Sequence, residues 1–113
     1  MMIRLPRGDI RLVRFIIEDP DHKKTRIDFS EVYLTVKKTE NDRAFLFQKK
    51  LSTGEITKLE HGDYQVRIES VDTDNLAYGN YKFDIQLVYE NEVKETFIGD
   101  FIITPEVTFA ENE

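Results

Sequence analysis

Apolar and polar residues alternate with a period of two over much of the chain. The clearest run is residues 64–68, in which Tyr64, Val66 and Ile68 are separated by polar residues. This period is typical of a β-strand that packs on one side and faces solvent on the other. Further strands are predicted at residues 10–18, 31–38, 44–51, 81–87 and 93–104, and residues 56–59 are predicted to be an edge strand or irregular.

The segments between these runs carry turn residues rather than helical periodicity. Glycines and clusters of Asp and Asn interrupt the polar stretches that are long enough for a helix, so no helix is predicted. Residues 39–42 have the length and polarity of a hairpin loop. Residues 10–18 are apolar on both faces, which predicts a strand that is covered on both sides. Gly99, in the middle of the last predicted strand, indicates a bulge or a close approach of backbone.

The number and spacing of the strands favour an all-β protein. About seven short strands in about a hundred residues are typical of an immunoglobulin-like antiparallel β-sandwich, although a small barrel has a similar strand count. In such sandwiches a tyrosine near the start of the penultimate strand donates a hydrogen bond to backbone a few residues upstream. Gly79, Tyr81 and Phe83 have the spacing for this corner, which favours the sandwich. Phe83 is expected where antibody domains carry a cysteine.

Length, charge and cysteine content narrow the class of protein further. The chain is predicted to form one domain, residues 1–113, with short arms at residues 1–9 and 105–113. Its 22 acidic and 16 basic residues give a net charge of -6, which disfavours binding to nucleic acid and to anionic membranes. The absence of cysteine agrees with a reducing compartment, and the bacterial cytoplasm is the expected place of synthesis. No signal peptide and no membrane span are predicted.

The reactive residue types do not form a pattern typical of a catalytic or cofactor site. Asp72, Asp74 and Asn75 begin like a calcium loop, but the loop's glycine and final glutamate are missing, so a turn with side-chain-to-backbone hydrogen bonds is predicted. His22 and His61 lie in predicted loops beside charged residues and are expected to be solvated. The serines lack the context of a nucleophile elbow. We therefore predict no catalytic residue, no metal site and no cofactor.

The aromatic residues are predicted to serve mainly in the core. Phe83, Phe97 and Phe101 occupy alternating strand positions, which predicts that they are buried. Tyrosine is common at protein interfaces because it offers a large contact area at low entropy cost. Three tyrosines are predicted to lie either in the core or at a protein interface, namely Tyr33, Tyr78 and Tyr89.

The N-terminal segment is too apolar for a free tail. Met2, Ile3 and Leu5 are separated from the first predicted strand by Pro6 and Gly8. They either cover an edge of their own domain or form an interaction arm that adds a strand to a neighbouring subunit. The same alternatives apply to the C-terminal segment. Arginines cluster near the start and acidic residues at the end, which indicates either a solvated surface or head-to-tail contact between copies.

Four segments resemble small immunoglobulin-like proteins of bacteriophages, and they read RGDIRLVRFIIEDPD, YLTVKK, GDYQVRI with DTDNLAYGNYKFDIQL, and IGDFIITPEVT. This family includes the N-terminal domain of phage baseplate upper proteins and related tail or virion proteins of prophages in Gram-positive bacteria. The resemblance covers residues 8–108 and consists of framework residues. It implies a β-sandwich without catalytic residues that docks to neighbouring subunits. Larger baseplate proteins continue past this domain, so a separate accessory or connector protein is expected.

These observations lead to one leading expectation and two alternatives. We expect a non-catalytic structural or accessory protein of a phage or prophage virion, in the tail, baseplate or neck. It would dock to other virion proteins, or to further copies of itself, through the edges of the β-sandwich and the terminal arms. It would be made in the bacterial cytoplasm and incorporated into the virion. The first alternative is a carbohydrate-binding module for host cell-wall sugars, which requires an exposed aromatic shelf. The second is a small enzyme on a β scaffold, disfavoured because no triad, thiol or metal set is recognisable.

Overall fold

The computed structural model describes residues 1–105, apart from the side chain of Lys94. Within this part of the chain the regular secondary structure consists almost entirely of strands, which are joined by turns and loops. The strands are β1 (Met2–Pro6), β2 (Arg11–Ile16), β3 (Glu31–Lys37), β4 (Phe47–Lys50), β5 (Ile56–Glu60), β6 (Asp63–Ile68), β7 (Gly79–Tyr89) and β8 (Glu92–Thr104). A single helical turn, α1 (Ser70–Thr73), precedes β7.

The strands form two sheets in a sandwich-like arrangement. The five-stranded sheet has the order β1-β8-β7-β3-β4, and the three-stranded sheet has the order β2-β6-β5. The prediction of an all-β protein is therefore confirmed. Two details differ from the prediction: the described residues form eight strands rather than about seven, and β1 pairs with β8 in parallel, so the larger sheet is not purely antiparallel.

The core lies between the sheets and is built from alternate strand positions. β3 contributes Val32, Leu34 and Val36, and β6 contributes Tyr64, Val66 and Ile68, all fully buried. Each buried side chain of this size contributes roughly 1.5–3 kcal/mol relative to exposure. The remaining core positions are Ile3, Leu5, Phe15, Ile17, Phe29, Ile56, Phe83, Ile85, Leu87, Phe101 and Ile103, with Phe97 partly buried against them. The two-residue period therefore identifies most inward faces.

β2 differs from its prediction. Phe15 faces the core, whereas Leu12 and Ile16 on the opposite face are 53% and 45% exposed. The prediction of a strand covered on both sides was wrong. β2 lies at an edge of the smaller sheet, and the described residues form no second layer over its outer face. A strand with apolar residues on both faces is therefore buried on both faces only where a second layer of structure packs on its outer face.

β4 is shorter than predicted. It begins at Phe47 rather than at residue 44, so the connection from β3 is longer than a four-residue hairpin loop. Phe45 and Leu46 precede the strand and are largely exposed. By contrast, residues 56–59, for which an edge strand was one alternative, are the edge strand β5.

A short helical turn was missed in the sequence. α1 begins after Glu69, whose backbone N–H donates to the Asp72 carboxylate at 2.7 Å in a capping box. A turn of this length is too short to show helical periodicity, so only the Glu69–Asp72 spacing marks it. The hydrogen bond agrees with the predicted side-chain-to-backbone bonding in this region, although the local conformation is helical.

Gly99 lies where two parts of the chain approach closely. A Cβ atom at this position would lie 2.6 Å from the carbonyl oxygen of Met1 and 2.7 Å from the ring of Phe83. The predicted close approach is confirmed, whereas the register shift between β7 and β8 occurs elsewhere, between Leu87 and Val88. Only a residue without a side chain allows the ring of Phe83 to pack against the β8 backbone here.

The predicted N-terminal arm is a strand of the domain itself. Met2–Pro6 pairs with β8, and the side chains of Ile3 and Leu5 are buried in the core. In this structure the segment covers its own edge, which was the first of the two alternatives, while Met2 stays exposed. Burial within the chain satisfies the apolar surface of Ile3 and Leu5. The predicted C-terminal arm begins at Pro105, and its remaining residues, 106–113, lie outside the described part of the chain.

Candidate interaction surfaces

The corner before β7 contains the expected hydrogen bond. The hydroxyl of Tyr81 donates to the carbonyl oxygen of Ala77 at 2.7 Å. Gly79 has a φ of 139°, a conformation that favours glycine, and Phe83 is fully buried. These residues join the turn after α1 to the core, so they form part of the framework rather than a reactive site.

The other predicted candidates are not brought together. His22 and His61 are exposed in separate turns, and Asp72 belongs to α1. Among residues 1–105, no group of three or more His, Cys, Asp or Glu side chains is arranged to hold a metal ion. None of the helical structure described is long and apolar enough to cross a membrane.

A buried ion pair joins β4 to α1. Lys49 Nζ lies 2.6 Å from Asp72 Oδ2, and the two side chains are 7% and 12% exposed. Lys49 pairs with the core residue Leu34 and occupies an inward position of β4. Sequence analysis missed this pair, although a lysine at the parity of core positions is a signal that it has a buried partner. The pair attaches the helical turn to the sheet.

A second cluster lies at the junction of β2 and β6. Asp63 is fully buried and accepts hydrogen bonds from Arg14 and, at 3.2 Å, from Lys24. The hydrogen bond from Arg14 lowers the pKa of Asp63 to about 2. Lys24 also pairs with Glu60. This network was not predicted because its members are far apart in the sequence, and it fixes the outer face of the smaller sheet.

The outer face of the five-stranded sheet holds an acid with one buried oxygen that has no hydrogen-bond partner among the described residues. Asp84 lies in the middle of this face, next to Thr35 of β3 and Ile98 of β8. Its Oδ1 atom is buried and has no hydrogen-bond partner among the described residues. Burial raises the pKa of Asp84, and the positive charge of Lys37 opposes this effect only in part. Ile98 is 55% exposed, so a partly desolvated carboxylate stands beside an exposed apolar side chain.

The polar neighbours of Asp84 on this face have partners of their own. Gln48 Nε2 donates to Thr35 Oγ1 at 2.9 Å. Lys82 Nζ lies 2.5 Å from Asp100 Oδ1, and this hydrogen bond raises the pKa of Lys82 and lowers that of Asp100. Asp84 differs from these four residues because its Oδ1 atom has no hydrogen-bond partner among the described residues.

The outer edge of β2 presents backbone groups that no other strand within residues 1–105 pairs with. Ile17 N donates to Gly62 O, next to the start of β6, and the Ile17 carbonyl oxygen accepts from Thr25 N, so the N–H of Ile17 is directed toward the β6 side. In an antiparallel pair successive residues direct their polar backbone atoms to opposite sides. The N–H and C=O groups of Leu12, Arg14 and Ile16 therefore face the free edge. Between this edge and β1 lies a cleft of about 260 Å³, lined by Met2, Ile3, Arg4, Arg11, Leu12, Val13 and Arg14.

An acidic groove lies beyond the end of β2. Its volume is about 340 Å³, and Glu18, Asp19 and Glu95 supply its acidic groups. Glu18 and Glu95 also line a neighbouring cavity of about 220 Å³ that reaches Ile16 and Met1. The apolar and aromatic residues that line the larger groove are Ile17, Pro20, Ile27, Phe29 and Tyr89. The open side of the sandwich is thus basic beside the start of β2 and acidic beyond its end.

These surfaces belong to an all-β domain of two sheets. No protein-family model, no curated protein and no solved structure matches the chain. Its function must therefore be inferred from the surfaces themselves and from the resemblance of its segments.

Proposed function

We propose that this chain is a non-catalytic structural or accessory protein of a phage or prophage virion, in the tail, baseplate or neck, that docks to other virion proteins. The resemblance over residues 8–108 supports this role. The strand order supports the immunoglobulin-like part of the resemblance. In the larger sheet the order β8-β7-β3-β4 corresponds to strands G, F, C and C′ of an immunoglobulin domain. In the smaller sheet the order β2-β6-β5 corresponds to strands B, E and D. The hydrogen bond of Tyr81 supports it as well.

Asp84 is the observation that carries the docking proposal. A buried polar atom without a hydrogen bond destabilises the folded chain, and more so when it is charged. A neighbouring subunit that places a Lys or Arg side chain against Asp84 would supply the missing donor in a charge-assisted hydrogen bond. An apolar group beside that cation would cover Ile98. The proposal thus assigns docking to the outer face of the five-stranded sheet instead of the N-terminal arm.

The experiment that tests the role is quantitative mass spectrometry of gradient-purified particles from the strain that encodes the chain. A fixed ratio to the major capsid protein supports a structural component. Several hundred copies indicate the capsid or the tail tube, and a small multiple of three or six indicates the neck or baseplate. Absence of the chain from intact particles that retain their other minor proteins contradicts the proposal.

The docking face is tested in the same particles with paired variants. Ile98→Lys places a charge beside Asp84, and we expect it to reduce the amount of the chain that is incorporated. Val71→Lys is the matched control, because Val71 is also an exposed apolar residue but lies on α1. Equal incorporation of both variants would remove the outer face from the proposal.

Carbohydrate binding is the second candidate, and the acidic groove favours it. Tyr89 and Phe29 line this groove together with carboxylates that accept hydrogen bonds from hydroxyl groups. Tyr78 is a weaker shelf because the guanidinium of Arg7 covers its ring at 4.3 Å. An array of cell-wall glycans tests this function. Binding that is lost in Tyr89→Ala supports it, and an array without any bound glycan contradicts it.

A further inference from the structure

The free edge of β2 has the features of an edge that can pair with a further strand. The backbone groups of Leu12, Arg14 and Ile16 face outward, and β2 pairs with β6 without a register shift. Edge strands of monomeric proteins are usually protected by bulges, prolines or outward charges, since a regular edge is a template for another strand. β2 contains no bulge and no proline, and the guanidinium of Arg14 forms an ion pair with Asp63.

Three apolar side chains are exposed along this edge. Ile10, Leu12 and Ile16 are each about half exposed, and Ile10 directly precedes β2. A strand added at this edge would pack its own side chains beside Leu12 and Ile16 while its backbone completes the hydrogen bonds. Main chain and side chains therefore favour the same occupant, an extended strand.

The charges beside the edge indicate which strand that is. Arg4 and Arg11 lie at the start of β2, where Arg11 Nη1 donates to the carbonyl oxygen of Arg4 at 3.3 Å. Glu18 and Glu95 lie beyond its end, in the acidic groove. A second β2 that runs antiparallel to the first brings the basic end of each copy against the acidic end of the other. Two-fold symmetry produces this attraction twice.

We propose that two copies of this chain pair antiparallel through the free edge of β2 and join their three-stranded sheets into one continuous six-stranded sheet. The proposal rests on the proposed role as an assembly protein and names a partner, a second copy, for a surface distinct from the outer face that carries Asp84. The dimer leaves that outer face open on both copies, so a neighbouring subunit can bind there at the same time.

Charge reversal provides a specific test. In the acidic variant, Arg4→Glu with Arg11→Glu, both ends of the edge are negative. In the basic variant, Glu18→Lys with Glu95→Lys, both ends are positive. We expect sedimentation velocity to show a wild-type dimer and a dimer dissociation constant at least about tenfold weaker for each variant alone. An equimolar mixture of the two variants is expected to restore dimers, and native mass spectrometry should identify them as one copy of each.

The control variant, Lys38→Glu with Arg43→Glu, makes the same change of net charge as the acidic variant in the segment between β3 and β4, and it should dimerise like the wild type. A wild-type chain that is monomeric at every concentration overturns the proposal. So does a mixture of the two variants that stays monomeric, or a pair of variants that dimerise separately as well as the wild type does.

Hydrogen exchange tests the backbone part of the proposal. The amides of Leu12, Arg14 and Ile16 face the free edge, whereas those of Val13 and Phe15 are directed to β6. Dimerisation should slow exchange at the first group specifically. Dimers without this protection would overturn pairing through β2. The dimer and the virion role can fail separately: a monomeric chain found in particles refutes only the dimer, and a dimeric chain absent from particles refutes only the role.

Discussion

Arg14 and Asp63 are joined by two parallel hydrogen bonds across the β2–β6 pair. Arg14 Nε donates to Asp63 Oδ1 at 2.8 Å, and Nη2 donates to Oδ2 at 2.5 Å. The Asp63 side chain is 1% exposed, whereas that of Arg14 is 57% exposed. The solvent-exposed guanidinium of Arg14 thus neutralises the buried carboxylate of Asp63. Because the pair is bidentate, it also fixes the relative position of β2 and β6.

The stability of the domain should depend on pH through Asp63. Its pKa in the folded chain is about 2, below the ordinary value of 3.8. The stabilisation that it contributes is therefore fully present above pH 3.8 and is lost as pH falls through about 2. We expect the difference in free energy of unfolding between the wild type and Asp63→Asn to shrink over this interval, as measured by urea denaturation. A difference that is constant with pH would contradict the assignment.

The corner hydrogen bond has a measurable contribution to stability. Tyr81→Phe removes the donor to Ala77 and leaves the ring, so we expect a loss of about 1 kcal/mol in the free energy of unfolding. Tyr33→Phe is the control on the outer face of the larger sheet and should cost much less. Equal effects in the two variants would show that the Tyr81 bond contributes nothing specific.

Gly99→Ala should destabilise the domain by steric overlap. The new methyl group would lie within 2.7 Å of the ring of Phe83 and of the Met1 carbonyl. We expect a loss of about 1–3 kcal/mol, the usual cost of overpacking a core. Phe83→Leu removes part of the obstacle, so the same alanine should cost less in that background. A double-mutant cycle with no coupling energy would argue against this contact.

The pair formed by Lys49 and Asp72 should behave as a buried ion pair. Lys49→Met leaves the Asp72 carboxylate, which is 12% exposed, without its cationic partner, although the Glu69 N–H still donates to it. We expect a loss of about 3 kcal/mol in the free energy of unfolding. Adding Asp72→Asn removes the unpaired charge, so the double variant should lose less than the sum of the single losses. Additive losses in thermal or chemical unfolding would show that the two groups are energetically independent.

Asp84 should lower stability at neutral pH. Burial raises its pKa above the ordinary value, so folding favours its protonated form. Its stabilising contribution is present below pH 3.8 and is lost as pH rises through its folded pKa. Asp84→Asn should therefore be more stable than the wild type at pH 7 and should lose docking in particles. An isolated Asp84→Asn that is less stable at pH 7 would refute the account of Asp84 as an unpaired acid.

The sequence by itself determined the strands that are buried on one face. In residues 64–68 and 81–87 the two-residue period corresponds to the pleat of a strand, so it identifies the inward side chains without knowledge of the partner strand. The corner at Tyr81 could also be predicted from the sequence, because its hydrogen bond joins residues that are only four positions apart. The same applies to Gly99, since a glycine inside a strand pattern indicates a close approach of backbone.

The tertiary structure alone decided which apolar surfaces are covered and which charges are paired. Residues 2–6 could cover their own domain or a neighbour, and only the parallel pairing with β8 settles this choice in the structure. The apolar residues of β2 on its outer face remain exposed because no further layer of the described chain reaches them. The pairs of Arg14 with Asp63 and of Lys49 with Asp72 join residues that are far apart in the chain. No local pattern encodes such a distance, because it depends on which strands pair and on where the helical turn packs against the sheet.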